Sequence, residues 1–206
     1  MNRSLLAALA LCACASANAA PAVVQGGLSL NDASAITFAG YNGTPADITG
    51  VLSSGYTGTL SALSAGTITF TYLGQEAGHV NTFDFNGQTI EGSQPVGTTL
   101  SAEIGAGTLA FSFSDLTDVL TRANGHSYIA VIPGVQTTRF GTFDFVLGFD
   151  DSTAGSYWDD GDHDDLVIGV NFVPATTPAV PEPTGLALTL VGLAGLAAVG
   201  RASRRV

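Results

Sequence analysis

The sequence predicts an all-β domain, a β-sandwich of jelly-roll type, set between two apolar chain ends. Three observations carry this. Short apolar–polar alternations recur through the middle of the chain, the two-residue period of half-buried strands. Turn residues separate them, with 26 glycines among 206 residues. No strand pattern alternates with a long helical one, as a parallel sheet would require.

The elements follow in order. Residues 35–39 are a first strand, and 57–63 and 66–73 the next two; in the latter, Ile68, Phe70 and Tyr72 share one face. Residues 79–85 run into Asn86-Gly87, a two-residue hairpin signal that returns the chain through 88–90. Strands are expected at 98–104, 108–113, 127–132, 142–149 and 166–172, the last with Leu166, Ile168, Val170 and Phe172 on one face. One helical turn is expected over 114–122, capped by Ser114 and containing Leu116, Val119 and Leu120. Residues 174–183 read as a Pro/Thr linker.

The two ends read as targeting segments. Met1-Asn2-Arg3 is a short basic start, an apolar run follows, and Ala17-Asn18-Ala19 fits a small-x-small cleavage site. This predicts a signal peptide over 1–19, removed by signal peptidase. A rival reading takes Leu11-Cys12-Ala13-Cys14 as a lipoprotein box with lipidation at Cys14. Cleavage after Ala19 leaves a mature chain without cysteine, so stability must come from a core, with bound metal as an optional addition. At the other end, Pro181 and Pro183 lack amide donors and bias Val180 and Glu182 towards extended backbone. Residues 184–200 are uncharged and mostly apolar, about 25 Å long as a helix, at the short end of a bilayer span. Arg201, Arg204 and Arg205 then stay on the cytoplasmic side. The expected organisation is a signal peptide over 1–19, a β-sandwich over 20–173, a linker over 174–183, and a transmembrane helix with its arginine tail over 184–206.

Charge excludes some functions. The chain has no lysine, and between the two ends only Arg122 and Arg139 oppose 17 acidic residues. Nucleic acid and anionic lipid surfaces are poor partners for such a domain; cations suit it, as does an acidic, hydrated matrix.

One segment concentrates the chemistry. Asp150, Asp151, Asp159, Asp160, Asp162, Asp164 and Asp165 lie between the last two expected strands, with no lysine or arginine among them. Carboxylates this dense raise one another's pKa or take a cation. Calcium suits them, a hard ion that takes about 6–8 oxygens. Asp160, Asp162 and Asp164 have the alternate spacing that opens an EF-hand loop, but Asp165 stands where that loop needs glycine and Asn171 where it closes on glutamate. A calcium loop on a β-scaffold is therefore expected, against the simpler reading of a solvated connection. His163 reads as a surface residue, because its neighbours are hard oxygens and no second histidine or cysteine partners it. His79 and His126 read as ordinary strand or turn residues. Tyr157 and Trp158 offer a stacking platform for a sugar ring, or equally an anchor that pins the loop to the sandwich.

Two resemblances add to this. Pro181-Glu182-Pro183, the apolar stretch and the terminal arginines together resemble the PEP-CTERM sorting tail of Gram-negative bacteria. The resemblance implies export, recognition by an exosortase, transient anchoring in the inner membrane, cleavage near Pro-Glu-Pro, and delivery to the cell surface or an exopolysaccharide matrix. Gly148-Phe149-Asp150-Asp151 and Asp160-Gly161-Asp162-His163-Asp164-Asp165-Leu166-Val167 resemble the closing segment of a bacterial domain of unknown function with a suspected calcium site. Residues 72–81 resemble an upstream signature of such cargo, which implies Glu76 and Asn81 as further oxygen donors.

The leading expectation is a non-enzymatic surface or matrix protein, its calcium ligands drawn from Asp150, Asp151, Asp160, Asp162, Asp164, Asp165 and Glu76. A glycan-binding module using Trp158 and Tyr157 is the alternative. A polysaccharide-degrading enzyme ranks last: the acids crowd into one loop, and no nucleophile elbow, phosphate loop or histidine-rich zinc motif occurs.

Overall fold

The structure, a computed structural model, describes residues 22–38, 53–76, 78–152 and 161–176. Among them the regular elements are strands, and their pairings are antiparallel. In chain order they are β1 (Val23–Gln25), β2 (Leu28–Thr37), β3 (Ser54–Ala62), β4 (Gly66–Gly74), β5 (Asn81–Phe85) and β6 (Gln88–Glu91). Then come β7 (Thr99–Ile104), β8 (Gly107–Thr108), β9 (Phe111–Asp115), β10 (Leu120–Ala123) and β11 (Ile129–Pro133). The last are β12 (Gln136–Thr137), β13 (Gly141–Thr142), β14 (Phe145–Phe149) and β15 (Leu166–Pro174). One sheet runs β1-β2-β3-β11-β14-β15-β4-β7, with β8 paired to β3 off that path. A second runs β10-β9-β5-β6, and β12 pairs with β13 alone.

The two larger sheets bury one common core. From the first come Ile68, Phe70 and Tyr72 on β4 and Leu166, Ile168, Val170 and Phe172 on β15, the faces that alternation predicts. From the second come Phe83, Phe85, Phe111 and Phe113. The Phe70 ring lies 4.7 Å from Phe83 and 4.8 Å from Phe85, and Phe113 stacks on Phe149 at 5.1 Å. Burial of these rings, each worth about 1.5–3 kcal/mol in transfer free energy, holds the sheets together.

Both faces of β14 and of most of β15 are buried, which is why their sequences are nearly continuous apolar runs. The outward residues Val146 and Val167 join Leu73, Ile132, Val135 and Phe143 in a second cluster. Gly169 makes that packing possible: a Cβ there would lie 2.5 Å from Phe143 Cε1. The stems of the acidic segment are thus the most tightly held strands of the domain.

Asn86 (φ 52°) and Gly87 (φ 75°) both take the left-handed conformation and join β5 to β6, as the Asn-Gly signal predicts. The helical turn expected over 114–122 is not formed. Ser114 and Asp115 belong to β9, which pairs with β10 through Asp115↔Leu120 and Ser114↔Thr121. The Asp115 carboxylate accepts from Thr117 N at 2.7 Å and Asp118 N at 3.3 Å, capping a tight turn in place of a helix start. Leu116 and Val119, which suggested an apolar helix face, are exposed. The strands expected at 108–113 and 142–149 are each broken in two, and β15 runs through Pro174, where the linker was expected to begin. No helix among the described residues is long and apolar enough to cross a membrane. Residues 1–19 and 184–206 lie outside them, as do Pro181, Glu182 and Pro183.

Two substitutions test this packing. Phe70→Ala removes the ring that touches three phenylalanines of the facing sheet and should cost about 3–5 kcal/mol in denaturant unfolding. Val119 is β-branched, 87% exposed and held at φ 58°. Asparagine tolerates that conformation, so Val119→Asn should stabilise by about 0.5–1 kcal/mol. A loss of stability there would contradict the turn geometry.

Candidate metal centre

The site is built where β4 and β15 run out of their shared ladder. Val167 pairs with Gly74, and the register shifts between Val167 and Ile168. A bulge of this kind bends a strand end and re-aims its side chains. Just beyond, Glu76 N donates to Asp164 O at 3.0 Å, so the chain leaving β4 stays joined to the chain entering β15. Gly161 (φ 67°) and His163 (φ 63°) turn the incoming segment through left-handed backbone. Asp162 and Asp164 point inward between them, each 1% exposed, while residues 161, 163 and 165 are half-buried.

Carboxylate oxygens of Glu76, Asp162 and Asp164 all lie within 4.8 Å of one another. Glu76 is exposed and the two aspartates are buried, so the group has a solvent-facing side and a dry side. Burial pushes the Asp164 carboxyl up to about 8, reinforced by its hydrogen bond and charge interaction with Asp162 and by the charges of Glu76 and Asp165. Each of these contributions opposes ionisation. The two arginines of the domain are engaged elsewhere, Arg122 over the Tyr128 ring and Arg139 over Phe140.

Unpaired oxygens mark the same end of the molecule. Asp164 Oδ2 and Ser152 Oγ are buried without a hydrogen-bond partner. Such atoms are rare, because each forfeits a solvation free energy of about 1–3 kcal/mol. At Asp164 the unpartnered oxygen belongs to the carboxylate group itself, a setting that fits a hard cation. Glu76, Asp162 and Asp164 are the residues that could hold such an ion.

The other aspartates have different partners. Asp150 N donates to Tyr128 O at 3.0 Å, and Asp150 Oδ1 accepts from Ser152 N at 2.9 Å. Asp151 N donates to Asp165 Oδ2 at 2.9 Å, and Asp165 N to Phe149 O at 3.1 Å. Asn81 Nδ2 bridges Asp151 Oδ2 at 2.7 Å and Asp165 O at 3.2 Å. Asp150, Asp151 and Asp165 therefore close the base of the loop by hydrogen bonding. Asp160, Tyr157 and Trp158 lie outside the described residues.

Two histidines depart from the sequence reading. His163, expected at the surface, is half-buried, with its ring 5.3 Å from Phe38. His79, expected to be ordinary, has Nδ1 2.9 Å from Asp115 Oδ2 and 3.8 Å from Asp151 Oδ1. Its pKa is raised, first by the hydrogen bond to Asp115, with burial opposing and the charges of Asp151, Asp115 and Asp118 assisting. Nothing in the local sequence around His79 announces this pairing, since Asp115 is brought to it by the β5–β9 ladder.

These protonation states predict a pH response. Asp164 holds its proton more tightly folded than unfolded, so its contribution to stability is present below a pH of about 4 and is lost as pH rises through about 8. His79 acts in the same direction, its contribution fading as pH rises past its raised pKa. In chelator, the melting temperature should fall across this range, and Asp164→Asn should flatten the fall; an unchanged slope in that variant would contradict the buried-carboxyl reading. No family model, curated protein or solved structure matches this chain.

Proposed function

We propose that this is an exported protein of the cell surface or exopolysaccharide matrix, and that its cargo domain is a jelly-roll-like β-sandwich stiffened by calcium. The role is structural or adhesive. Calcium is held by Glu76, Asp162 and Asp164, and it joins the β4–β5 connection to the β14–β15 connection across the end of the domain. The observation that carries this reading is the convergence of three carboxylates, two of them buried, whose oxygens lie within 4.8 Å of one another. The sorting half rests on the sequence of the ends: a signal peptide, then Pro181-Glu182-Pro183, an apolar span, and Arg201, Arg204 and Arg205. Exosortase and signal peptidase are the processing partners, and the inner membrane a transient anchor.

Calcium binding only to the folded chain stabilises it by about 2.7 kcal/mol at a hundredfold excess over Kd. The melting temperature should therefore rise in millimolar calcium, and much less in magnesium, which prefers a tighter octahedron and its own waters. The double substitution Asp162→Asn, Asp164→Asn should abolish the response. Equal shifts in both proteins would reduce the acidic loop to a solvated connection. For the sorting half, intact-mass analysis of the surface-extracted protein from an exosortase-bearing host should show loss of residues 1–19 and of the apolar tail. Retention of the tail in the final product would refute sorting.

A further inference from the structure

A second group of potential ligands lies on the neighbouring sheet. His79, Asp115 and Asp118 each offer one donor atom, and these atoms lie within 4.8 Å of one another. We propose that they form a second cation site, with a mixed nitrogen–oxygen donor set that takes a borderline divalent transition ion, for which zinc is the probe. Imidazole with carboxylate suits such ions, whereas the all-oxygen group at Glu76 suits calcium.

An independent observation points to a ligand. Asn81 is fully buried, and its Oδ1 has no hydrogen-bond partner. Asn81 stands directly opposite Asp115 in the β5–β9 register, so both side chains leave the sheet on the same face. The amide cannot be turned round to relieve this. Nδ2 already donates to Asp151 Oδ2 and Asp165 O, and exchanging the two ends would set an oxygen against two oxygens. A buried carbonyl oxygen is therefore fixed beside the wholly buried carboxylate of Asp115. Asp115 already accepts from Thr117 N and Asp118 N and bonds to His79, so the unmet need is that of Asn81 Oδ1, and a cation beside Asp115 supplies it.

Access and support are present. The His79 side chain is 39% exposed and Asp118 is exposed, so an ion can enter from solvent. Asp115 is oriented by Thr117 N and Asp118 N, and Asp151 Oδ1, 3.8 Å from His79 Nδ1, adds negative charge on the side where the ion would sit. With no ion bound, His79 Nδ1 bonds to Asp115 Oδ2 at 2.9 Å. Zinc then replaces the proton on the ligating nitrogen, and that proton leaves to solvent.

The test uses the purified full-length chain in saturating calcium, titrated with zinc in a calorimeter while imidazole resonances are followed by NMR. One equivalent of zinc should bind, and the His79 resonances should shift. His79→Gln with Asp118→Asn should weaken zinc binding by roughly a hundredfold, since even the outer partners of a metal ligand are worth about 10–100-fold. Both residues face solvent, so that variant should fold and keep its calcium response; Asp115, which caps the turn, is left in place. The variant Asp162→Asn, Asp164→Asn should lose the calcium response and keep the zinc site, which separates the two readings. Three outcomes would overturn the proposal: no zinc binding, equal zinc affinity in wild type and the His79/Asp118 variant, or zinc binding that disappears with Asp162 and Asp164.

Discussion

Two carboxylates withdrawn from water set the terms for one end of this domain. Asp162 and Asp164 are each 1% exposed, and Glu76 lies against them. The surroundings of Asp164 disfavour its charge at every turn, by burial and by three acidic neighbours. Such a group holds a proton or a cation. A proton can join only one oxygen of Asp164 to one of Asp162, whereas a hard cation of high coordination number satisfies several oxygens together.

The packing beneath explains why the arrangement persists. β14 and β15 are clamped on one face by the phenylalanine core and on the other by Phe143 and Val135, so the loop between them starts and ends on fixed stems. β4 lies beside β15 throughout and delivers Glu76 through a single backbone bond to Asp164. Repulsion among the acids is thus opposed by hydrophobic burial, which does not depend on charge or salt. The same logic holds on the second sheet, where β5 and β9 bring Asn81, His79 and Asp115 together from distant parts of the chain.

The sequence announced what is local. The shared face of Ile68, Phe70 and Tyr72 and the Asn86-Gly87 hairpin are periodic or turn-encoded, and both are legible within a few residues. Long-range features were harder to read. Spacing alone could not divide the aspartates into Asp162 and Asp164 at the centre and Asp150, Asp151 and Asp165 at the loop base, because that division depends on which backbone donors reach each carboxylate. Glu76 rested on a resemblance; what places it is the β4–β15 pairing. The expected helical turn failed because Asp115, one residue after the presumed cap, takes up the turn donors itself. His79 was passed over because its partner lies on another strand.

The most direct measurement is a crystal structure of the domain grown in calcium, with a lanthanide derivative to locate the ion by anomalous scattering. One peak should lie at about 2.3–2.6 Å from carboxylate oxygens of Glu76, Asp162 and Asp164, with Asp164 Oδ2 among them. A peak elsewhere on the domain, or no peak with Asp162 and Asp164 still buried and facing each other, would contradict a calcium centre at this place.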